Sequence, residues 1–412
     1  MRNSKRFIST IILCLGLTAC GTSATDDQTK TSDKKDLPYK MEKINQVVMD
    51  GNAVFAWDLF KKLSEEEKQK SIFISPFSIS TALSMTYQGA RGETKEEMKE
   101  VLGYQGVDIN KVNDTYKNYI RYVTQMNDVD VNIGNSIWVR DGFAVKDTFI
   151  KTNQDMYGAG VFERDFSEQT VTEMNNWISK ETNGKIKEML SPPIKPNVKV
   201  FLINAIYFKG DWKDPFKIEN TEEETFHVTS ESSKTVPMMY KQGTVQYNEG
   251  SDYKAIEMPY GEGDTSMYAV LPKEGTTLRS FVSGMTMNKL NTILEGMETQ
   301  EKVNISFPKF KVEYGTKNLN ESLQSLGMKK AFNNADFSGM SDSGLSIDRV
   351  LHKAFIEVNE KGSEAAAATV VGMAESASAS QPKTFKADHP FLYIIADNQK
   401  ESILFMGTYY GD

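Results

Sequence analysis

The side chains able to do covalent chemistry are few and scattered. Three histidines, His227, His352 and His389, stand too far apart for a local metal motif of the H-E-x-x-H kind. Gly261-x-Gly263 is followed by Ser266 where a dinucleotide-binding turn needs glycine. Neither a G-x-S-x-G nucleophile turn nor a G-x-x-x-x-G-K-[ST] phosphate loop occurs. His352 is a general base by residue type. It lies mid-strand among apolar residues, however, which favours a buried structural role. These groups imply no enzyme, no metal and no cofactor.

One stretch, residues 357–389, carries a different kind of chemistry. Glu357-Val358-Asn359-Glu360 reads as the end of a strand, and Gly362 breaks it. Small side chains follow, then a Ser, Ala, Gly and Met tract with no bulky anchor until Phe385. Helix propensity alone makes the alanine run helical. Alternate residues give another reading. Ser363, Ala365, Ala367, Thr369, Val371 and Met373 carry no charge, and Glu364 falls in the other set. A strand puts alternate residues on opposite faces. The segment can therefore enter a sheet with one face on a core, small residues leading.

Helical spacing covers Ile44, Val47, Val48, Val54, Phe55, Leu59 and Phe60. Ser71 to Ser75 is β-rich, and Ser75-Pro76 starts a helix, serine as cap and proline in the first turn. A second capped helix is expected over 94–102. Residues 131–139 alternate as a strand. A helix is expected from Met174 to Leu190, stopped by Pro192-Pro193. Residues 199–207 are nearly continuously apolar, as in a strand buried on both faces. Asn204 inside that run needs a hydrogen-bond partner. Paired strands are expected at 255–261 and 266–272, one strand at 303–310, a helix at 318–326, and two closing strands at 388–395 and 403–407.

Taken together, these blocks resemble the serpin family. The resemblance rests on Glu360-Lys361-Gly362-Ser363-Glu364-Ala365-Ala366-Ala367-Ala368-Thr369, which is similar to the inhibitory hinge. It also rests on Ser75-Pro76-Phe77-Ser78, on Asn204 to Trp212, and on the closing strands, all in family order over about residues 39–412. It implies an α+β fold in one domain, 38–412: a large central β-sheet, further sheets, surrounding helices and an exposed reactive-centre loop at about 362–389. It implies a shutter cluster of Ser75, Ser78, Asn204 and His352 beneath the point where the sheet parts. It places Trp212, Lys309 and Glu360 at the top of that opening, the breach, with Lys309 facing Glu360.

The implied function is irreversible inhibition of serine, and also cysteine, endopeptidases. A protease cuts the loop, and the freed segment inserts into the sheet with the acyl-enzyme attached. Family spacing from Gly362 puts the reactive bond at Ser376-Ala377. Glu375, Ser378 and Ala379 are alternates, because the loop is longer than usual and its bonds are similar. Small residues suit elastase-like or subtilisin-like proteases, and Glu375 suits a glutamate-specific one. No Arg or Lys occurs in the loop before Lys383, which disfavours trypsin-like targets. The competing reading is a non-inhibitory serpin, a binding or scaffold protein whose loop is merely a substrate.

The N-terminus reads as a targeting segment. Arg2, Lys5 and Arg6 precede an apolar run too short to span a bilayer. Leu17-Thr18-Ala19-Cys20-Gly21 resembles a bacterial lipobox. Residues 1–19 are then a signal peptide, Cys20 a lipid anchor, and 20–37 a polar tether. Cys14 leaves with the signal, so the mature chain has no disulfide. The implied location is the bacterial cell envelope, with the lipid holding the chain to a membrane at the surface or in the periplasm. The chain has 412 residues, 39% hydrophobic and 25% charged, with a net charge of −8. That describes a soluble globular body, a monomer, with no basic stripe for nucleic acid.

Overall fold

A strand buried on both faces, β4 (Val200–Asp211), organises the molecule. The computed structural model describes residues 38–127, 129–363, 382–399 and 402–412. The signal segment, Cys20 and the tether lie outside the described residues. So do the hinge positions Glu364 to Thr369 and the candidate bonds at 375–379.

Among the described residues the chain begins with α1 (Gln46–Glu66), β1 (Ile72–Ile74), α2 (Pro76–Tyr87), α3 (Gly92–Val101), α4 (Ile109–Val123), β2 (Val129–Arg140), α5 (Asp147–Tyr157) and β3 (Gly160–Arg164). It continues through α6 (Glu168–Glu181), β4 (Val200–Asp211), β5 (Thr221–His227), β6 (Ser233–Glu249), β7 (Tyr253–Tyr260), β8 (Thr265–Pro272), α7 (Leu278–Gly284) and α8 (Met287–Glu295). It ends with β9 (Glu298–Pro308), β10 (Phe310–Asn318), α9 (Asn320–Ser325), β11 (Arg349–Asn359), β12 (Gly362–Ser363), β13 (Lys383–Lys386), β14 (Phe391–Asp397) and β15 (Ser402–Tyr409).

The strands form two sheets. One has six strands in the order β10-β11-β12-β4-β2-β3. The other has nine, β1-β15-β14-β8-β7-β6-β9-β13, with β5 paired to β6. Val200, Leu202, Ile206 and Phe208 of β4 join the main core, where Phe208 meets Phe405 and Tyr260. Phe201, Ile203 and Ala205 join a second cluster with Val171, Met174 and Ile178 of α6. Burial on both faces explains the unbroken apolar run of β4.

Several expectations are corrected. The helix expected to run from Met174 to Leu190 ends at Glu181. Asn183 and Gly184 take left-handed φ of 50° and 76°, and the Gly184 N–H donates to the Ser179 carbonyl. That is a local helix stop well ahead of Pro192-Pro193. The strand expected over 303–310 is two strands, β9 and β10, parted at Lys309. The helix expected from Thr94 begins at Gly92 and has no side-chain cap; the Thr94 hydroxyl accepts from the Asp336 N–H instead. Within the segment expected as an exposed loop, Lys383–Lys386 is strand β13. It pairs in parallel with β9, and Phe385 is buried.

Candidate functional site

The main sheet has a seam. β4 and β11 pair in parallel along seven rungs, from Arg349 opposite Phe201 to Phe355 opposite Tyr207. Above the last rung the strands diverge and β12 lies between them. Gly362 pairs with Asn359 and Asp211, and Ser363 pairs with Val358 and Gly210. Both contacts of each residue are antiparallel. The first two residues after the Lys361 turn thus already occupy the slot.

Only glycine fits the first position. Gly362 has φ +155°, and a Cβ there would sit 2.1 Å from the Gly210 carbonyl oxygen and 2.6 Å from Asp211 Cα. Ser363 is fully buried, and its hydroxyl lies 2.7 Å from the Tyr260 hydroxyl. Burial pushes the Tyr260 hydroxyl well up, so it stays protonated and able to donate. Tyr260 also stacks on Trp212, with ring centroids 4.5 Å apart. The Trp212 indole N–H donates to the Asn359 carbonyl at 3.0 Å, and its backbone N–H donates to the Lys361 carbonyl at 2.7 Å. Trp212 therefore clamps both ends of the turn that feeds the slot.

Lys309 and Glu360 meet at 3.1 Å. The two sides differ in exposure: the Glu360 side chain is 7% exposed and that of Lys309 44%. Thr221 donates to the same carboxylate at 2.9 Å. Burial pushes the Glu360 carboxyl up, but its own backbone hydrogen bond, Thr221 and Lys309 outweigh burial. They hold the group below the usual glutamate range. Breaking this pair would strand a buried charge, so it fixes the turn more than an exposed pair could.

Lower in the seam lies the cluster of Ser75, Ser78, Asn204 and His352, all buried. Asn204 and His352 are register partners across the seam. The Asn204 amide nitrogen donates to the Ser78 hydroxyl and, at 2.6 Å, to the Asn135 carbonyl oxygen. The Asn204 carbonyl oxygen contacts His352 Nδ1. The Ser75 backbone N–H donates to His352 Nε2 at 3.2 Å, and the Ser75 hydroxyl donates to the Leu404 carbonyl. Nε2 accepts, so the ring proton sits on Nδ1 and donates to Asn204. Burial drives the His352 pKa down to about 3, and the ring is neutral. Among the described residues neither serine hydroxyl donates to the ring, since that of Ser75 is committed to the Leu404 carbonyl and that of Ser78 accepts from Asn204, and all four side chains are closed off from solvent. The cluster is a latch across the seam, joined to the start of α2.

Sequence reasoning missed three participants. Asn135 stands opposite Asn204 in β2, and its Nδ2 has no partner among the described residues. Tyr260 and Thr221 complete the top of the slot. Only Asn135 carried a signal, as a polar residue midway through an alternating strand. The partners of Tyr260 and Thr221 depend on distant chain segments.

Comparison with known proteins agrees with this geometry. The family described as Serpin (serine protease inhibitor) matches residues 50–411. A serpin-like protein of Methanosarcina acetivorans is 38% identical over 372 residues, covering 86% of each chain. The leukocyte elastase inhibitor of Xenopus laevis is 36% identical over 373 residues, covering 86% of this chain and 97% of that one. The solved native structure of tengpin, a thermophilic serpin, superposes with a TM-score of 0.83 at 32% identity, covering 91% of this chain and 96% of that chain. A split parallel seam holding a glycine-led strand, a polar latch beneath it and these matches along most of the chain lead to one assignment: the chain belongs to the serpin family.

Proposed function

We propose that this serpin is an irreversible suicide inhibitor of serine endopeptidases, with elastase-like or subtilisin-like enzymes as its targets. The observation that carries the reading is Gly362-Ser363 seated between β4 and β11. The slot is open at the top, and its first occupant belongs to the segment that must fill it. Continuing the register of Ser363, Thr369 would stand six residues further on, opposite His352 and Asn204, six residues back on each neighbour. Ser363, Ala365, Ala367 and Thr369 would share the core face, where small uncharged side chains meet least resistance.

The chemistry belongs to the target. Its serine Oγ attacks the carbonyl carbon of Ser376, the bond to the Ala377 nitrogen breaks, and that nitrogen leaves as an amine. An acyl ester remains on Ser376. Insertion then replaces one parallel seam with two antiparallel ladders, and parallel pairing is the slightly weaker of the two. A segment of about fourteen residues extends on the order of 45 Å, which carries the attached protease toward the far end of the sheet.

Mixing the purified protein with neutrophil-type elastase, subtilisin, chymotrypsin and trypsin tests this directly. A band of combined mass that survives boiling is expected with elastase or subtilisin, with the released peptide beginning at Ala377. Cleavage near Ser376 with no such band for any protease would overturn inhibition and leave the loop a substrate.

The envelope location belongs to the same proposal. Cys20 directly after the apolar run supports lipid anchoring, and more than one acyl chain would make it stable, at ~0.8 kcal/mol per buried methylene. The wild-type protein should fractionate with membranes, and Cys20→Ala should release it. Equal partition of the two would refute the anchor.

A further inference from the structure

At the lower end of the seam lies a cavity of about 330 Å³. That is the small end of the range for small-molecule sites, roughly 300–1,000 Å³. Phe201 of β4 and Leu351 of β11 line it from the two sides of the seam, with Val198 and Ile194 from the connecting segment. Met189 and Leu190 contribute further wall, and both are buried. Asn175 of α6 pins them: its side-chain oxygen accepts from both backbone N–H groups, at 2.9 and 3.0 Å, and its amide donates to the Leu190 carbonyl at 2.8 Å. This wall is fixed to α6 before anything binds.

The charges in the lining have one sign. Arg349 and Lys195 line the cavity, and among the described residues no aspartate or glutamate does. Arg349 is half-buried. Among the described residues its guanidinium makes neither an ion pair nor a hydrogen bond. A half-buried guanidinium without a partner, beside an apolar chamber, matches a ligand with a carboxylate head and an apolar body. Arg presents paired donors that fit a carboxylate, and partial desolvation strengthens the contact.

We propose that this cavity binds an amphipathic carboxylate, its head on Arg349 and Lys195 and its apolar body against Phe201 and Leu351. The site spans the lowest rungs of the seam, since Arg349 pairs with Phe201 and Leu351 with Ile203. A bound ligand touches both strands and the wall held by α6, so it pins the seam shut from below. Binding is independent of the inhibitory reading. The pinning consequence rests on it, because only loop insertion requires the seam to part.

The test uses the purified full chain, with decanoate as probe and decanol as its uncharged counterpart. Calorimetry should show one saturable decanoate site, with decanol at least tenfold weaker. Arg349→Gln and Lys195→Gln should each weaken decanoate several-fold. Lys195 is exposed on a connecting segment, so its variant serves if the arginine variant folds poorly. Equal binding of decanol and decanoate, or full affinity in both variants, would overturn the site. A synthetic peptide with the sequence of residues 363–376 then reads the consequence. Decanoate should slow its entry into the sheet several-fold on native gels. Saturated decanoate with an unchanged entry rate would overturn pinning. A protein that binds decanoate but never traps a protease would keep the site and lose the inhibitory reading.

Discussion

Gly362→Val will abolish covalent trapping of a protease while leaving the loop cleavable. The added Cβ cannot be accommodated by side-chain movement, because its nearest neighbours at 2.1, 2.6 and 2.9 Å are all backbone atoms of 210–212. The φ of +155° is a second penalty, since β-branched residues avoid that region. The lowest-energy response is to leave the slot. Leaving costs the Ser363–Tyr260 hydrogen bond and the burial of Ser363, about 2 kcal/mol together. It also removes the start of insertion, so after cleavage the acyl ester meets water before the strand has zipped. Elastase or subtilisin should then be turned over, with the stable band reduced at least tenfold and cleaved chain accumulating. Thermal unfolding separates the two effects. A variant that still traps at the wild-type stoichiometry would show that the glycine-led entry is not the path of insertion.

Much of this site was legible because its signals are local. A glycine ahead of the small-residue run and a serine-proline helix start each occupy a few adjacent positions. Asn204 was conspicuous for a similar reason: a polar residue in an apolar run must find a partner. Which partner it finds is a question of register. Asn135 became part of the latch only through pairing of β2 with β4, and His352 only through β11. Trp212 shows the same division. Its place at the top of the opening followed from family order. Its stacking on Tyr260 and its two hydrogen bonds to the turn come from packing between the sheets. The helix expected to reach Leu190 failed differently. Pro192-Pro193 is the more conspicuous stop, yet Asn183-Gly184 supplies left-handed positions that end the helix first. Family order implied that Lys309 faces Glu360 at the breach, but not how deeply either is buried. Glu360 is in fact buried, because Thr221 and the Phe216 backbone close over it, and neither lies near it in sequence.

Acid should loosen the seam through His352, with a slope that His352→Gln removes. The ring is neutral in the fold, with Nδ1–H donating to Asn204 and Nε2 accepting from the Ser75 N–H. A second proton would land on Nε2, facing a donor in a site without water exposure. Hence the folded pKa of about 3, set by burial, against about 6.5 in the unfolded chain. The folded value is the lower one, so the unfolded chain binds more protons between these limits. The stabilisation is complete above about pH 6.5 and is lost as pH falls toward 3, by about 1.4 kcal/mol per pH unit. From pH 7 to pH 4 the loss is about 3 kcal/mol, a large share of a typical domain's stability. His389 pulls the other way. Burial lowers its pKa, but Asp388 and the Pro272 carbonyl bind both ring nitrogens and leave it raised. Its contribution is present below about pH 6.5 and is lost as pH rises through its folded pKa. That term is common to wild type and variant and cancels in the difference. The decisive measurement is the urea midpoint of each protein at pH 7, 6, 5 and 4. The wild-type midpoint should fall more steeply, the gap widening at each step. Glutamine can keep one donor and one acceptor in the latch, so the variant should fold at pH 7. Parallel profiles would mean that the ring is not held neutral and that the latch across β4 and β11 does not depend on its unprotonated nitrogen.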